Sequence, residues 1–267
     1  MSPVLALWRR EVVKFLRDRS RVAGALAQPL AFWVLLGFGF GGAFRMPGDG
    51  GAADVTYLEF LFPGMVALVL LFTAIFSTIS VVEERQQGFL QAALVAPVSR
   101  TALVLGNVLG GATLAVGQAA LFLLLAPLAG LPLSLTGALV VLAAALPMAL
   151  GFTALGFTMA WSLATTRGFH AVMNLVLMPL WFLSGALFPA AGTPMVLGWV
   201  MRADPAYYGV AALRAGLYLP EAPPVADVSV GLALGVSWAF AVLLVALAVW
   251  RVRRPLYGAG RRRTATA

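Results

Sequence analysis

The chain has 267 residues, of which 61% are hydrophobic and only 10% charged. A soluble globular protein carries roughly 25% charged residues. Apolar runs of about 20 residues therefore describe a polytopic, all-α membrane protein and exclude a soluble domain. There is no cysteine and a single histidine, His170, which excludes a disulfide framework and any cysteine or histidine-cluster metal site. A net charge of +8 would suggest nucleic acid as the partner of a soluble protein. Here the bases gather at the two ends and in short connectors, the pattern that fixes orientation in a membrane, so no nucleic-acid partner is expected.

Residues 1–21 set Trp8, Val12, Phe15 and Leu16 on one side of a helix. Arg9, Arg10, Glu11, Lys14, Arg17, Asp18, Arg19 and Arg21 fall on the other. This predicts an amphipathic helix lying in the membrane interface, with a plain charged flank as the alternative. The segment does not read as a signal peptide, because its charged run is long and no small-residue cleavage site follows a short apolar core. Six spans follow, at about 22–41, 58–82, 101–127, 134–162, 171–189 and 228–250, all within one transmembrane domain over residues 1–267.

The first span holds Gln28-Pro29, which predicts a kink. Its glycines at 37–42 lack the Lys-Ser/Thr of a phosphate loop and read as helix-end and packing residues. In the second span Thr73, Ser77, Thr78 and Ser80 can bond to the helix backbone or to a neighbouring helix, and Thr73 and Ser77 are also candidates for lining a path. The third span carries Gly106-x-x-x-Gly110, Gly111 and Gly117, which predict a close helix contact. Its amides, Asn107 and Gln118, read as interhelical hydrogen-bonding groups.

The fourth span has Pro147 and Gly151 at its middle, and a short polar connector with Arg167 occupies 163–170. The fifth holds Asn174, Pro179 and Ser184, with Asn174 and Ser184 as further pathway candidates. Over 190–227 the apolar stretches are too short to span and predict re-entrant or interfacial helices. Trp199, Tyr207, Tyr208 and Tyr218 form an aromatic belt there. With six spans both termini share a side. That side takes 15 of the 18 Lys and Arg residues, Arg45, Arg202 and Arg214 being the others. The bias puts both termini in the cytoplasm, and the expected location is a bacterial plasma membrane.

Between the second and third spans lies Val81-Val-Glu-Glu-Arg-Gln-Gln-Gly-Phe-Leu-Gln-Ala-Ala-Leu-Val-Ala-Pro-Val-Ser-Arg100. Glu83, Glu84 and Arg85 mark an exit from the hydrocarbon, yet Phe89, Leu90 and Leu94 keep an apolar face. The pattern Glu84-Arg85-x-x-Gly88, then Leu94, Pro97 and Arg100, resembles the cytoplasmic coupling segment of ABC-2-type transporter permeases. Phe89 and Gln91 depart from the threonine and glutamate usual there. Phe182-Leu-Ser-Gly-x-x-Phe-Pro189 and Asp204-Pro205 resemble the family's fifth span and the segment after it. In size and layout the drug-exporter and nodulation-type permeases are the most similar.

The resemblance implies a permease that forms a homodimer in the lipid bilayer and binds a separate cytoplasmic ABC ATPase. ATP and magnesium then belong to the ATPase, and this chain carries no cofactor. The expected cargo is a hydrophobic or amphiphilic solute: a drug, lipid or glycolipid. The expected coupling residues are Glu83, Glu84, Arg85, Gly88, Phe89, Leu90, Leu94, Pro97 and Arg100. The two glutamates are expected at a helix N-terminus, Gly88 at a close backbone approach, Pro97 at the end of the helix, and Arg100 at the headgroup level. The alternative is an ATPase-independent carrier or channel, but a carrier needs an ionisable residue in mid-span and no span has one. An intramembrane enzyme is disfavoured, because serine would be the only nucleophile and no general base accompanies it. His170 reads as an interfacial residue.

Overall fold

The computed structural model describes residues 2–41, 55–88, 99–131, 133–220 and 228–253, with the backbone alone at 19–21. Every regular element among them is helical. The helices are α1 (Pro3–Arg17), α2 (Arg19–Phe40), α3 (Tyr57–Ser77), α4 (Ile79–Gln86), α5 (Arg100–Leu123) and α6 (Leu135–Ala160). They continue with α7 (Thr166–Leu183), α8 (Met195–Ala203), α9 (Pro205–Tyr218) and α10 (Val230–Arg253). Among the described residues five stretches are long and apolar enough to cross a membrane: Val22–Phe40 in α2, α3 with α4 as one 30-residue run, α5, α6 and α10.

α7 differs from the expected fifth span. It starts five residues before 171, because the Thr165 hydroxyl caps it by accepting the Gly168 N–H at 3.1 Å. The expected polar connector is correspondingly short, and Arg167 and His170 sit on the helix. With 18 residues, α7 is about 27 Å long at 1.5 Å per residue.

The layout is organised around α3. In its most apolar window 83% of residues are buried, against 17% in α2 and 28% in α10. α3 is therefore enclosed by protein, while α2 and α10 turn most of their surface outward. Pro63 has no N–H to continue the helix ladder, and aromatic donors bind the backbone around it. Trp33 Nε1 donates to Leu58 O and Trp181 Nε1 to Gly64 O, each at 2.9 Å. The α3–α4 line breaks at Thr78. There Ser77 and Thr78 return their hydroxyls to the carbonyls of Ala74 and Ile75, each at 2.7 Å, a back-bonding that bends helices.

The close contact predicted for Gly106 and Gly110 is present, but its partner is the amphipathic helix. A Cβ on Gly106 would lie 2.5 Å from Leu7 Cβ, and one on Gly110 2.7 Å from Glu11 Cβ. α1 therefore sits in a glycine cradle on α5, and Trp8 Nε1 donates to Thr113 Oγ1 at 3.0 Å beside it. Asn107 differs from expectation: its Nδ2 bonds back to Leu103 O in its own helix at 2.9 Å. Gln118 does reach across, accepting from Thr73 Oγ1 at 2.5 Å.

The expected short helices after the fifth span are α8 and α9, joined by Asp204 alone. α9 is buried along most of its length, whereas α8 exposes Met195, Val196, Trp199 and Val200.

Gly106→Val should displace α1, at a cost of about 1–3 kcal/mol for overpacking. Thermal unfolding in detergent and limited proteolysis at residues 1–18 measure it. Gly117→Val, where a Cβ meets nothing within 4 Å, is the control, and equal effects from both would refute the cradle.

Candidate functional site

The last turn of α4 carries Glu83, Glu84 and Arg85. The sequence reading put the two carboxylates at the start of a helix. They stand instead at the C-terminal end of one, where the helix dipole disfavours negative charge, so counter-charges must hold them.

α1 supplies those charges. Glu84 is 8% exposed and Glu11, across from it on α1, is 6% exposed. The Arg10 guanidinium lies between them, with Nη2 2.6 Å from Glu11 Oε1 and 3.0 Å from Glu84 Oε1. Lys14 Nζ is 3.7 Å from both Glu83 Oε2 and Glu84 Oε1. Ser80 Oγ donates to the second Glu11 oxygen at 3.1 Å. The sequence reading placed Glu11 on the charged face, and its burial was missed. The available signal was one acid in α1 among the bases Arg9, Arg10, Lys14 and Arg17.

Arg85 faces the other way. It donates to Trp161 O, and to Leu163 O at 3.1 Å, with its guanidinium 5.6 Å from the Trp161 ring centre. Gln86 Nε2 donates to Ala164 O at 3.1 Å. The end of α4 is thus tied to α1 on one side and to the α6–α7 turn on the other.

Gly88 has φ +75°, and a Cβ there would meet nothing within 4 Å among the described residues. It makes the left-handed turn that ends α4, with its N–H on Arg85 O at 3.1 Å. Arg100 donates to Val252 O at 3.1 Å and Arg253 O at 3.4 Å, satisfying the last carbonyls of α10. Phe89, Leu90, Leu94 and Pro97 lie outside the described residues.

Beside the ion cluster opens a cleft of about 830 Å³. Its walls are Phe15 of α1, Gly24, Ala25 and Gln28 of α2, Phe72, Thr73 and Phe76 of α3, Ile79 and Glu83 of α4, and Thr166, His170, Asn174 and Met178 of α7. Of the four pathway candidates it brings together Thr73 and Asn174. Ser77 faces α5 and borders a small polar void with Glu11, Ser80 and Asn107. Ser184 is buried at the end of α7, donating to Trp181 O at 2.7 Å. His170, read as interfacial, stacks on Phe76 with ring centres 5.3 Å apart at the cleft wall.

At the opposite end Asp204 caps α9, accepting the Ala206 N–H at 2.8 Å, and is 6% exposed. Its other oxygen has no hydrogen-bond partner among the described residues. Burial pushes its carboxyl up to about 7 from 3.8. Arg214, also buried, donates to Gly185 O at 2.9 Å and lies 4.5 Å from the Phe60 ring centre.

Comparison with known proteins places this arrangement. The profile of the ABC-2 type transporter family matches residues 3–218. Nodulation protein J of Rhizobium leguminosarum bv. trifolii is 31% identical over 215 residues, covering 79% of each chain. Nodulation protein J of Rhizobium meliloti (strain 1021) is 30% identical over 268 residues, covering 94% of this chain and 93% of the relative. The putative transport permease ycf38 of Porphyra purpurea is 27% identical over 218 residues, covering 80% of this chain and 73% of its own.

Asp204 gives the fold a pH dependence with a definite sign. Between 3.8 and about 7 the folded chain holds a proton that the unfolded chain has released. Stability therefore falls as pH rises through that window and levels off above it. Asp204→Asn keeps the cap acceptor without the charge and should flatten this part of the thermal-midpoint profile. An unchanged slope in the variant would remove Asp204 as the cause.

Proposed function

The chain belongs to the ABC-2 type transporter family, and we propose that it is the transmembrane subunit of an ATP-driven exporter. In this reading α7 is the fifth of six spans, both termini are cytoplasmic, α1 lies at the cytoplasmic interface and α8–α9 form the re-entrant hairpin on the far side. Two copies form the pathway. A separate cytoplasmic ATPase, which holds ATP and magnesium, docks on the segment between α4 and α5. The cargo is a hydrophobic or amphiphilic molecule, and the family to which the chain belongs consists of transport permeases.

The observation that carries the reading is the position of the cleft. It begins at the α4 turn that leads into the coupling segment and rises between α2, α3 and α7. Phe15, Phe72, Phe76, Ile79 and Met178 give it apolar walls. Gln28, Thr73, Glu83, His170 and Asn174 give it hydrogen-bonding groups, a mixture suited to a solute with one apolar and one polar part.

Gly88 offers a clean test. Glu84→Lys would set three cations against one another and break the α1–α4 contact, confusing docking with folding. Gly88→Trp meets nothing within 4 Å of a Cβ among the described residues and costs about 1–2 kcal/mol for its left-handed backbone. Reconstituted with the partner ATPase, Gly88→Trp should reduce stimulated ATP hydrolysis to the level of the ATPase alone, with an unfolding midpoint close to that of the parent. Full stimulation would defeat docking at this segment.

A further inference from the structure

We propose that Arg10 is a positioning residue for transport: it pins α1 across the two helices that leave and enter the coupling segment, so that α1, the end of α4 and the start of α5 move as one body and carry α2 with them. This rests on the proposed function.

α1 is attached to both sides of the segment by different physics. On the α5 side the attachment is steric, through the cradle of Gly106 and Gly110 against Leu7 and Glu11. On the α4 side it is ionic. Arg10 bridges Glu11 and Glu84, and Lys14 backs it at Glu83 and Glu84. The glycine contact alone would leave α4 free to slide against α1. The ion pair resists that motion, because separating it leaves the two buried carboxylates without a counter-charge. Arg10 is the one cation that reaches both buried carboxylates among the described residues.

The other end of α1 leads to the cleft. One non-helical residue, Asp18 with φ −89° and ψ 85°, separates α1 from α2. Phe15, one turn before it, and Gly24, Ala25 and Gln28, just beyond it, form one wall of the cleft. The facing wall includes His170, Asn174 and Met178 of α7. Displacing the pinned body turns α2 about Asp18 and changes the distance between the two walls. Glu83 belongs to both structures, lining the cleft and standing 3.7 Å from Lys14.

The chain has no cysteine, so a single one in the cleft reports its opening without background. The probe is Met178→Cys in the full permease, reconstituted with its ATPase and labelled by a water-soluble maleimide with and without vanadate-trapped nucleotide. Trapping should change the labelling rate about tenfold, the effect of making dominant a state populated at about a tenth. Arg10→Gln should still bind the ATPase but lose this nucleotide dependence. Arg10→Glu with Glu84→Arg should restore it by re-forming the pair with reversed charges. Because Arg10→Gln leaves carboxylates buried and can impair folding, Arg10→Gln with Glu84→Gln, which lowers the buried charge, is measured as well and should also lose the dependence.

Full nucleotide dependence in either neutral variant would overturn the role of Arg10. So would a parent that binds the ATPase and shows no nucleotide-dependent labelling. A parent that neither binds nor stimulates the ATPase would instead defeat the proposed function, and this inference with it.

Discussion

Glu11 and Glu84 are two carboxylates held out of water within reach of one guanidinium, and the basic end of the molecule depends on that arrangement. A carboxylate moved from water into a protein interior loses several kcal/mol of solvation, and a counter-charge must offset it. Arg10 does so for both groups at once, with Lys14 behind it. The requirement fixes the rotation of α1 about its own axis: Arg10 and Glu11 must face α4, and Leu7 and Glu11 must meet Gly106 and Gly110. The remaining face, with Leu5, Val13 and Leu16 exposed, then suits a membrane interface. One helix thus combines an ionic, a steric and an apolar surface, and the ionic one sets the register of the others.

The same polar strip continues into the bundle. Thr73, Ser77, Ser80 and Glu84 recur at intervals of four, three and four residues, the spacing that keeps a helix face aligned. They meet Gln118, Gly111 and Glu11 in turn, so hydroxyls and amides share the α3–α5 seam where small residues allow close approach. The hydroxyls bonded back to the α3 backbone also produce the break at Thr78. That break lets α4 turn Glu84 toward α1 while Arg85 reaches the α6–α7 turn. Bend and ion cluster are therefore linked: the bend aims the carboxylate, and the cluster fixes the helix that the bend has redirected.

Much of this architecture was legible in the sequence, for identifiable reasons. Apolar runs place helices because hydrocarbon leaves backbone groups no other partner, and α2, α5, α6 and α10 begin or end within a few residues of expectation. The start of α7 was misplaced because Arg167 and His170 read as a loop by polarity, while the Thr165 cap, a local signal, was passed over. Glu11 was missed as a buried group because one acid among bases, though a hint, usually belongs to a solvated face, and only the position of α4 in space shows its burial. Gly88 was recognised by its place in a pattern, and the structure adds its positive φ. A glycine needed for close approach and one needed for positive φ look identical in a sequence. Thr73 and Asn174, singled out in the sequence, line the cleft, whereas Gln28, Glu83 and His170 were not assigned to it, since they come together only when α2, α4 and α7 converge.

The outward surfaces bear on how the cleft works. α2 turns Leu30, Val34, Leu35 and Phe38 outward, and α7 turns Leu175 and Phe182 outward. These are the two helices that flank the cleft. Lipid can cover such faces, but hydrocarbon cannot satisfy Gln28, Asn174 or His170 between them. A second copy set against this side, as in the proposed dimer, would enclose those groups in a shared space lined from both subunits. In the proposed exporter that enclosure would loosen where its walls join α1 and α4, and there ion pairs work beside the glycine cradle.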